Sequence, residues 1–256
     1  MNWSAPLYRL YEHRLISKLP RDRMPAHIGV ILDGHRRFAR QEGQADLLDT
    51  YRQGVAKLGE FLEWSAHLEI PAITAWVLST ENLGRTSADL DPLFVVLEEL
   101  LKGLPAQAQR LRFSLQVIGS IDLLPASLAL AAKEAERDSQ FGGWQFNLAL
   151  GYGGRQEIVD ACRSLVSDLL QSGVAAEKIS DHIDIAALSK HVYASSLPDP
   201  DLVIRTSGET RFSGFLLWQA AYSEFVFVDP YWPAFRRVDF LRALRDFVHR
   251  DRRFGK

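Results

Sequence analysis

The chain has 256 residues, 47% of them hydrophobic and 24% charged. These are ordinary globular values, which exclude a disordered, collagen-like or coiled-coil protein. Thirty basic against 32 acidic residues leave a net charge of −2, so no global field draws nucleic acid or an anionic membrane, and any anion must be recognised by local clusters. A lone cysteine, Cys162, excludes internal disulfides and multi-cysteine metal sites. No apolar run reaches 18 residues, and the N-terminus lacks a secretory signal pattern. The expectation is a soluble, cytoplasmic protein.

In chain order, residues 1–25 read as a helical extension, with Leu7, Tyr8, Leu10, Tyr11 and Leu15 apolar and Arg9, His13, Arg14 and Lys18 basic. Such a helix can lie on a membrane surface, but so few basic residues give little pull, and packing on the domain is preferred. Six apolar runs bounded by Gly, Pro or Asp predict strands at His27–Leu32, Ile73–Leu78, Phe113–Ile118, Trp144–Leu150, Leu202–Ile204 and Glu224–Val228. Between them, helical patterns occupy Phe38–Gln41, Tyr51–His67, Asp89–Arg110, Ala126–Asp138, Arg155–Gln171 and Ile185–Val192, with a last one at Val238–Arg250. Strands alternating with helices predict an α/β fold with a mostly parallel six-stranded sheet flanked by helices. With no repeat and no linker-like stretch, residues 1–256 read as one domain.

Three polar clusters each follow a strand, where open α/β sheets place ligands. The first is Asp33-Gly34-His35-Arg36-Arg37-Phe38-Ala39-Arg40. Gly34 permits a tight turn, the following helix start offers free N–H groups, and the arginines add charged donors for phosphate. Asp33 stays ionised among them and can hold a divalent cation between diphosphate oxygens; equally, it can simply cap the helix. The second is Ser79-Thr80-Glu81-Asn82-Leu83-Gly84-Arg85, which by itself reads as a helix cap. The third, Arg205 to Gly214, sets Arg205 and Arg211 six apart with hydroxyls between them, a diphosphate clamp. Glu224 follows in an aromatic setting and needs a metal or an arginine; a surface salt bridge would also serve. Neither GxGxxG nor a Walker pattern is present, which argues against dinucleotide enzymes and NTPases. Together the clusters describe a site for several phosphates and one Mg²⁺ beside apolar walls.

The segments HIGVILDGHRRFAR, LSTENLGR, NLALGYGGRQEIVDA and DLVIRTSGETRFSGFLLWQAAYSEFVFVDPYWPAF resemble the cis-prenyltransferases, the undecaprenyl diphosphate synthase family. The likeness runs from His27 to Phe254 and is nearest to the short-chain actinobacterial members that make Z,E-farnesyl diphosphate. It implies Mg²⁺-dependent condensation of isopentenyl diphosphate with a short allylic diphosphate, such as geranyl diphosphate. By the same resemblance Asp33 is the essential carboxylate, with Glu224 completing the Mg²⁺ site. Gly34, His35, Arg36, Arg37 and Phe38 cradle the allylic diphosphate, while Arg205, Arg211, Phe212 and Ser213 hold that of isopentenyl diphosphate. Arg85 helps to position substrate, alongside Thr80, Glu81 and Leu83. Asn82 with Ser79 supports proton removal, which an amide cannot perform as a base. The resemblance further implies a homodimer and an apolar tunnel between sheet and helices. Bulky Trp76, Val77 and Leu78 are expected to shorten that tunnel.

The chain departs from the family pattern at several positions. His35 replaces an Asn, Phe38 and Leu83 replace Trp, and Asp46 and Tyr51 stand where Arg and His are frequent. Thr210 replaces a residue that helps with metal in some relatives. A neutral-range imidazole at position 35 can donate to phosphate or act as a base, and it can also redirect the site toward irregular prenyl coupling or cyclisation. A non-catalytic subunit of a prenyltransferase complex is the alternative of another class, against which the retained Asp33 and RTSGETRFS argue. The basic end, Arg250, Arg252, Arg253 and Lys256, reads as a solvated tail or as a segment reaching a partner's site.

Overall fold

The computed structural model describes residues 4–44 and 46–250. Arg252, Arg253 and Lys256 lie outside them, as do the side chains of Leu7, Tyr8 and Arg9. Six strands form one sheet: β1 (His27–Ile31), β2 (Ala72–Trp76), β3 (Phe113–Ile118), β4 (Trp144–Ala149), β5 (Leu202–Arg205) and β6 (Glu224–Phe227). They run in the order β3-β4-β2-β1-β5-β6, and every pairing is parallel. Helices α1 (Ser4–Ile16), α2 (His35–Gln41), α3 (Leu47–His67), α4 (Ser87–Leu111), α5 (Ala126–Arg137), α6 (Gly154–Gln171), α7 (Ile185–Ser189) and α8 (Arg237–Val248) make the connections. Each predicted strand is present, shifted by at most one residue at its start and two at its end. Helices α2 and α3 begin earlier than their apolar patterns indicate. Gly34 opens α2 immediately after the first strand, and the Asp46 side chain caps α3 by accepting from the Leu48 N–H at 2.8 Å.

Parallel strands buried on both faces divide their side chains by the two-residue alternation of the pleat. Ile28, Val30, Ile73, Ala75, Phe146, Leu148 and Ile204 face one large core, where Phe61 and Leu62 of α3, Leu97 and Leu101 of α4, Leu128 of α5 and Phe240 of α8 cover them. Ile31, Trp76, Ala149 and Val203 face the other side, under Tyr152, Phe215 and Leu216. The N-terminal extension is docked: Leu15 joins the large core, and Arg242 of α8 lies over the Tyr11 ring at 5.4 Å.

A polar ladder crosses three strands on the second face. His27 Nε2 lies 2.8 Å from Thr74 Oγ1, and Asn147 Nδ2 donates to the same hydroxyl at 3.1 Å. All three residues are buried, and burial pulls the His27 pKa down. A buried polar group is costly to leave unpaired, typically by about 1–3 kcal/mol. Thr74→Val keeps the shape but strips His27 and Asn147 of their shared partner. Chemical denaturation should show a loss of stability of about that size, whereas an unchanged midpoint would mean that the ladder contributes nothing.

Candidate active site

The sheet order turns back at β1, with β2 on one side and β5 on the other, and the loops leaving these three strands carry the three polar clusters. They enclose a cavity of about 460 Å³, within the usual range for small-molecule sites. Its polar end holds six arginines (Arg36, Arg37, Arg40, Arg85, Arg205 and Arg211) against two carboxylates, Asp33 and Glu209. Its apolar end is walled by Val55 and Leu58 of α3 and by Leu93, Leu97 and Leu100 of α4, with Val77 entering beyond β2. The leucines recur at three- and four-residue spacing, so one stripe of α4 faces the cavity.

Asp33 is fixed from several directions. The buried Thr206 hydroxyl donates to the Asp33 carbonyl at 2.8 Å and accepts from its N–H at 3.0 Å, pinning the end of β1 to the end of β5. The carboxylate accepts from Arg205 at 2.8 Å on Oδ2 and from Arg37 at 3.3 Å on Oδ1. Burial alone would raise the Asp33 pKa, but the hydrogen bond and charge of Arg205, joined by Arg37, outweigh it and hold the group below its ordinary value. Arg205 is itself only 6% exposed; it also donates to Ser213 Oγ at 2.6 Å and to the Arg211 carbonyl at 2.5 Å. Glu209 completes the group, accepting from Arg37 at 2.9 Å and from Arg211 at 2.8 Å.

His35 occupies a niche that exists because residue 54 is glycine: a Cβ there would fall 2.1 Å from His35 Nε2. The imidazole packs on Tyr51, ring centres 5.6 Å apart. Burial, with Arg85 adding to it and Asp33 opposing, pulls its pKa down to about 4, so the ring is neutral at physiological pH. Asn82 donates its backbone N–H to Ser79 Oγ at 3.1 Å, and both residues line the cavity.

The cavity thus gathers Asp33, Gly34, His35, Arg36, Arg37, Ser79, Asn82, Arg85, Arg205, Arg211 and Ser213. Phe38, Thr80, Glu81, Leu83 and Phe212 stand around it without lining it; Phe212 packs edge-on against Phe225 at 5.2 Å, for example.

Two expectations need correction. Glu224 does not join Asp33 within the chain. It opens β6 opposite Leu202, which pairs with Ile28, so it lies at the other end of the sheet, roughly 16 Å back along the strand direction from Asp33. There its carboxylate accepts from Arg250 at 2.7 Å. Of the expected tunnel blockers, only Val77 projects into the apolar end. Leu78 is buried in the large core, and Trp76 borders the cavity while its indole stacks on Phe215 at 5.2 Å on the opposite face. Sequence reasoning gave no site role to Glu209, Tyr51, Gly54 or the α4 leucines, although Glu209 lies within the third cluster, Tyr51 departs from the family pattern and the leucines recur at helical spacing; only Gly54 carried no signal in the sequence.

The donor set suits a substrate-bridged cation. No group of three or more His, Cys, Asp or Glu side chains that could hold a metal occurs among the described residues, so an all-protein cage is absent from them. Asp33, facing an arginine-lined cavity, matches the pattern in which Mg²⁺ takes one or two carboxylates and completes its shell with phosphate oxygens and water.

Comparison with known proteins agrees with this geometry. Residues 31–255 match the prenyltransferase family model described as undecaprenyl diphosphate synthase. A (2Z,6E)-farnesyl diphosphate synthase from Mycolicibacterium smegmatis is 47% identical, over 98% of this chain and 96% of its own. A tritrans,polycis-undecaprenyl-diphosphate synthase (geranylgeranyl-diphosphate specific) from Methanopyrus kandleri is 45% identical, over 98% and 92%. Among solved structures, lavandulyl diphosphate synthase from Lavandula x intermedia in complex with dimethylallyl diphosphate superposes with a TM-score of 0.83 at 32% identity, covering 92% of this chain and 100% of that one.

The low pKa of His35 has a consequence for stability. Between its ordinary 6.5 and the folded value of about 4, the unfolded chain binds a proton that the folded chain refuses, so acidification through this window favours unfolding. Buried His27 acts in the same sense. Asp33, with its lowered value, contributes stability above 3.8 that is lost only as the pH falls further. Melting temperatures followed from pH 7 to pH 4 should therefore decline, and His35→Asn should flatten part of that decline. An identical slope in the variant would show that the imidazole is not held neutral.

Proposed function

The chain belongs to the undecaprenyl diphosphate synthase family of prenyltransferases, and from that premise we propose that it condenses isopentenyl diphosphate with a short allylic diphosphate, geranyl diphosphate fitting best, to a Z-configured prenyl diphosphate of about fifteen carbons. The observation that carries the proposal is the division of one cavity into an arginine-lined end and a short apolar end. That division matches a diphosphate with a hydrocarbon tail. Relatives of nearly equal identity carry short-chain and long-chain names, so overall identity does not decide product length; the cavity must. Leu93 to Leu100 span seven residues, about 10 Å of helix axis. An isoprene unit extends roughly 5 Å from covalent dimensions, so this wall lodges about two units.

In this reading Arg36 and Arg37 receive the allylic diphosphate, and Arg205, Arg211 and Ser213 receive that of isopentenyl diphosphate. The buried Arg205 Nε–H lacks a protein partner among the described residues, in keeping with an anion site. Asp33 would hold Mg²⁺, which supplies charge neutralisation for the departing diphosphate. The arginines stabilise the charge that develops as the allylic carbon–oxygen bond breaks. The alkene of isopentenyl diphosphate then attacks the allylic cation, forming the new carbon–carbon bond. A proton leaves the adjacent carbon to give the Z double bond. Asn82 has no usable basic pKa, so it orients the reacting chain while a diphosphate oxygen accepts the proton. The apolar walls keep water from the cation.

The edge strand β6 supports assembly as a homodimer: Tyr222, just before it, is 80% exposed and Phe227, at its end, is partly exposed, the kind of aromatic exposure interfaces favour. No helix of the described residues is long and apolar enough to cross a membrane, and with α1 docked on α8, weak or no membrane-surface association is expected. The cytoplasm, where the lone thiol stays reduced, suits such an enzyme.

A second reading is favoured by the likeness to lavandulyl diphosphate synthase and by the imidazole at position 35: the same site would join two allylic diphosphates irregularly. One experiment separates the two. Purified protein is given Mg²⁺ with dimethylallyl, geranyl or farnesyl diphosphate, with and without isopentenyl diphosphate, and products are identified by mass spectrometry and NMR. The proposal expects a linear Z product of about fifteen carbons that requires isopentenyl diphosphate; products of thirty carbons or more, or coupling without isopentenyl diphosphate, would refute it. Asp33→Ala should lower turnover by about two orders of magnitude or more. Leu100→Ala, at a stability cost of about 2–5 kcal/mol, should add at least one isoprene unit; unaltered product length would show that α4 does not close the cavity.

A further inference from the structure

Glu209 joins the two halves of the polar end. Its Oε1 accepts from Arg37 at 2.9 Å and its Oε2 from Arg211 at 2.8 Å. Arg37 stands on α2, beside Asp33 and Ser207. Arg211 belongs to the loop after β5, where its carbonyl accepts from Arg205. The contacts form a closed ring, from Asp33 to Arg37, Glu209, Arg211, Arg205 and back to Asp33. In this ring Glu209 supplies to both arginines the negative charge that a diphosphate would supply to each.

We propose that Glu209 is a positioning residue that couples the two diphosphate seats, occupying both in the absence of substrate and releasing the second when the first is filled. The proposal rests on the assignment of Arg37 to the allylic seat and Arg211 to the isopentenyl seat. A diphosphate arriving at Arg37 displaces Glu209 from that guanidinium and sets several negative charges beside its carboxylate. Like charges at such distances repel strongly in a partly buried site. The loop has room to respond: Gly208, next to Glu209, has φ +68° with only the Asp229 side chain near its missing Cβ, and the Arg211 side chain is 73% exposed. Glu209 turns away, and Arg211 is left free for isopentenyl diphosphate. Linkage requires the converse, so that isopentenyl diphosphate strengthens allylic binding by the same factor.

Titration calorimetry in Mg²⁺ tests this, with geranyl S-thiolodiphosphate as an unreactive allylic probe and isopentenyl diphosphate as the second ligand, each alone and each in the presence of the other. The wild-type chain should bind the second ligand about 5-fold or more tightly once the first is present. In Glu209→Gln that factor should fall to within about 2-fold of unity, while isopentenyl diphosphate alone binds more tightly than to wild type because its seat is uncontested. Glu209→Asp keeps the charge but is one methylene too short to span both arginines, so it should lose the coupling as well. Undiminished coupling in either variant, or weaker binding of isopentenyl diphosphate alone to Glu209→Gln, would overturn the proposal. Wild-type protein that binds neither ligand would instead overturn the parent assignment of diphosphate seats.

Discussion

The carboxylate of Asp33 gives one oxygen to Arg205 and the other to Arg37, and this shared pairing orders the polar end of the cavity. Asp33 is only partly enclosed, but Arg205, nearly inaccessible to solvent, is a buried charge that needs an anionic partner, and Asp33 supplies it. Through Arg205 the pairing reaches Ser213 and the Arg211 carbonyl; through Arg37 it reaches Glu209 and Ser207. The Thr206 hydroxyl, bonded to both the N–H and the carbonyl of Asp33, fixes the backbone beneath. The site is therefore arranged before any substrate arrives, which is where preorganised electrostatic stabilisation draws its strength. Its cations outnumber its carboxylates three to one, so the balance is left for an anion to complete.

The opposite end of the cavity has the complementary chemistry. The core that packs α3 and α4 against the sheet also borders the cavity, so the α4 leucines Leu93, Leu97 and Leu100, members of that core, line its apolar end as well. Affinity for an amphiphile follows from this continuity: hydrocarbon surface is removed from water at one end while diphosphate charge is met at the other. The same division explains why the whole-chain charge of −2 concealed an anion site. The acidic residues that cancel the arginines in the sum lie elsewhere on the surface, for instance Glu63 paired with Arg110 and Glu99 with Arg52.

The strands and the three polar clusters could be read in advance because both follow from local pattern: apolar runs ending in Gly, Pro or Asp, and ligands at the carboxyl ends of parallel strands. Asp33 and Arg205, 172 residues apart in sequence, meet at the carboxyl ends of β1 and β5 for that reason. The misplacements have equally definite causes. The metal role of Glu224 came from the family resemblance alone; Glu224 begins a strand, and in a parallel sheet the beginnings of strands lie opposite the site, where it forms the salt bridge to Arg250 that its residue type also allows. Trp76 was grouped with Val77 although adjacent strand residues point to opposite faces, and its indole went to Phe215. The bridging role of Glu209 and the niche that Gly54 gives His35 depend on packing between distant segments, for which no spacing in the sequence provides a sign.

The most direct measurement is a crystal structure with Mg²⁺, isopentenyl diphosphate and geranyl S-thiolodiphosphate bound together. One diphosphate should sit on Arg36 and Arg37 with Asp33 turned to the metal, and the other on Arg205, Arg211 and Ser213, with the geranyl tail against Leu93, Leu97 and Leu100. A tail directed to solvent, or a diphosphate seated away from the arginine ring while Asp33 keeps both of its arginine partners, would contradict this assignment.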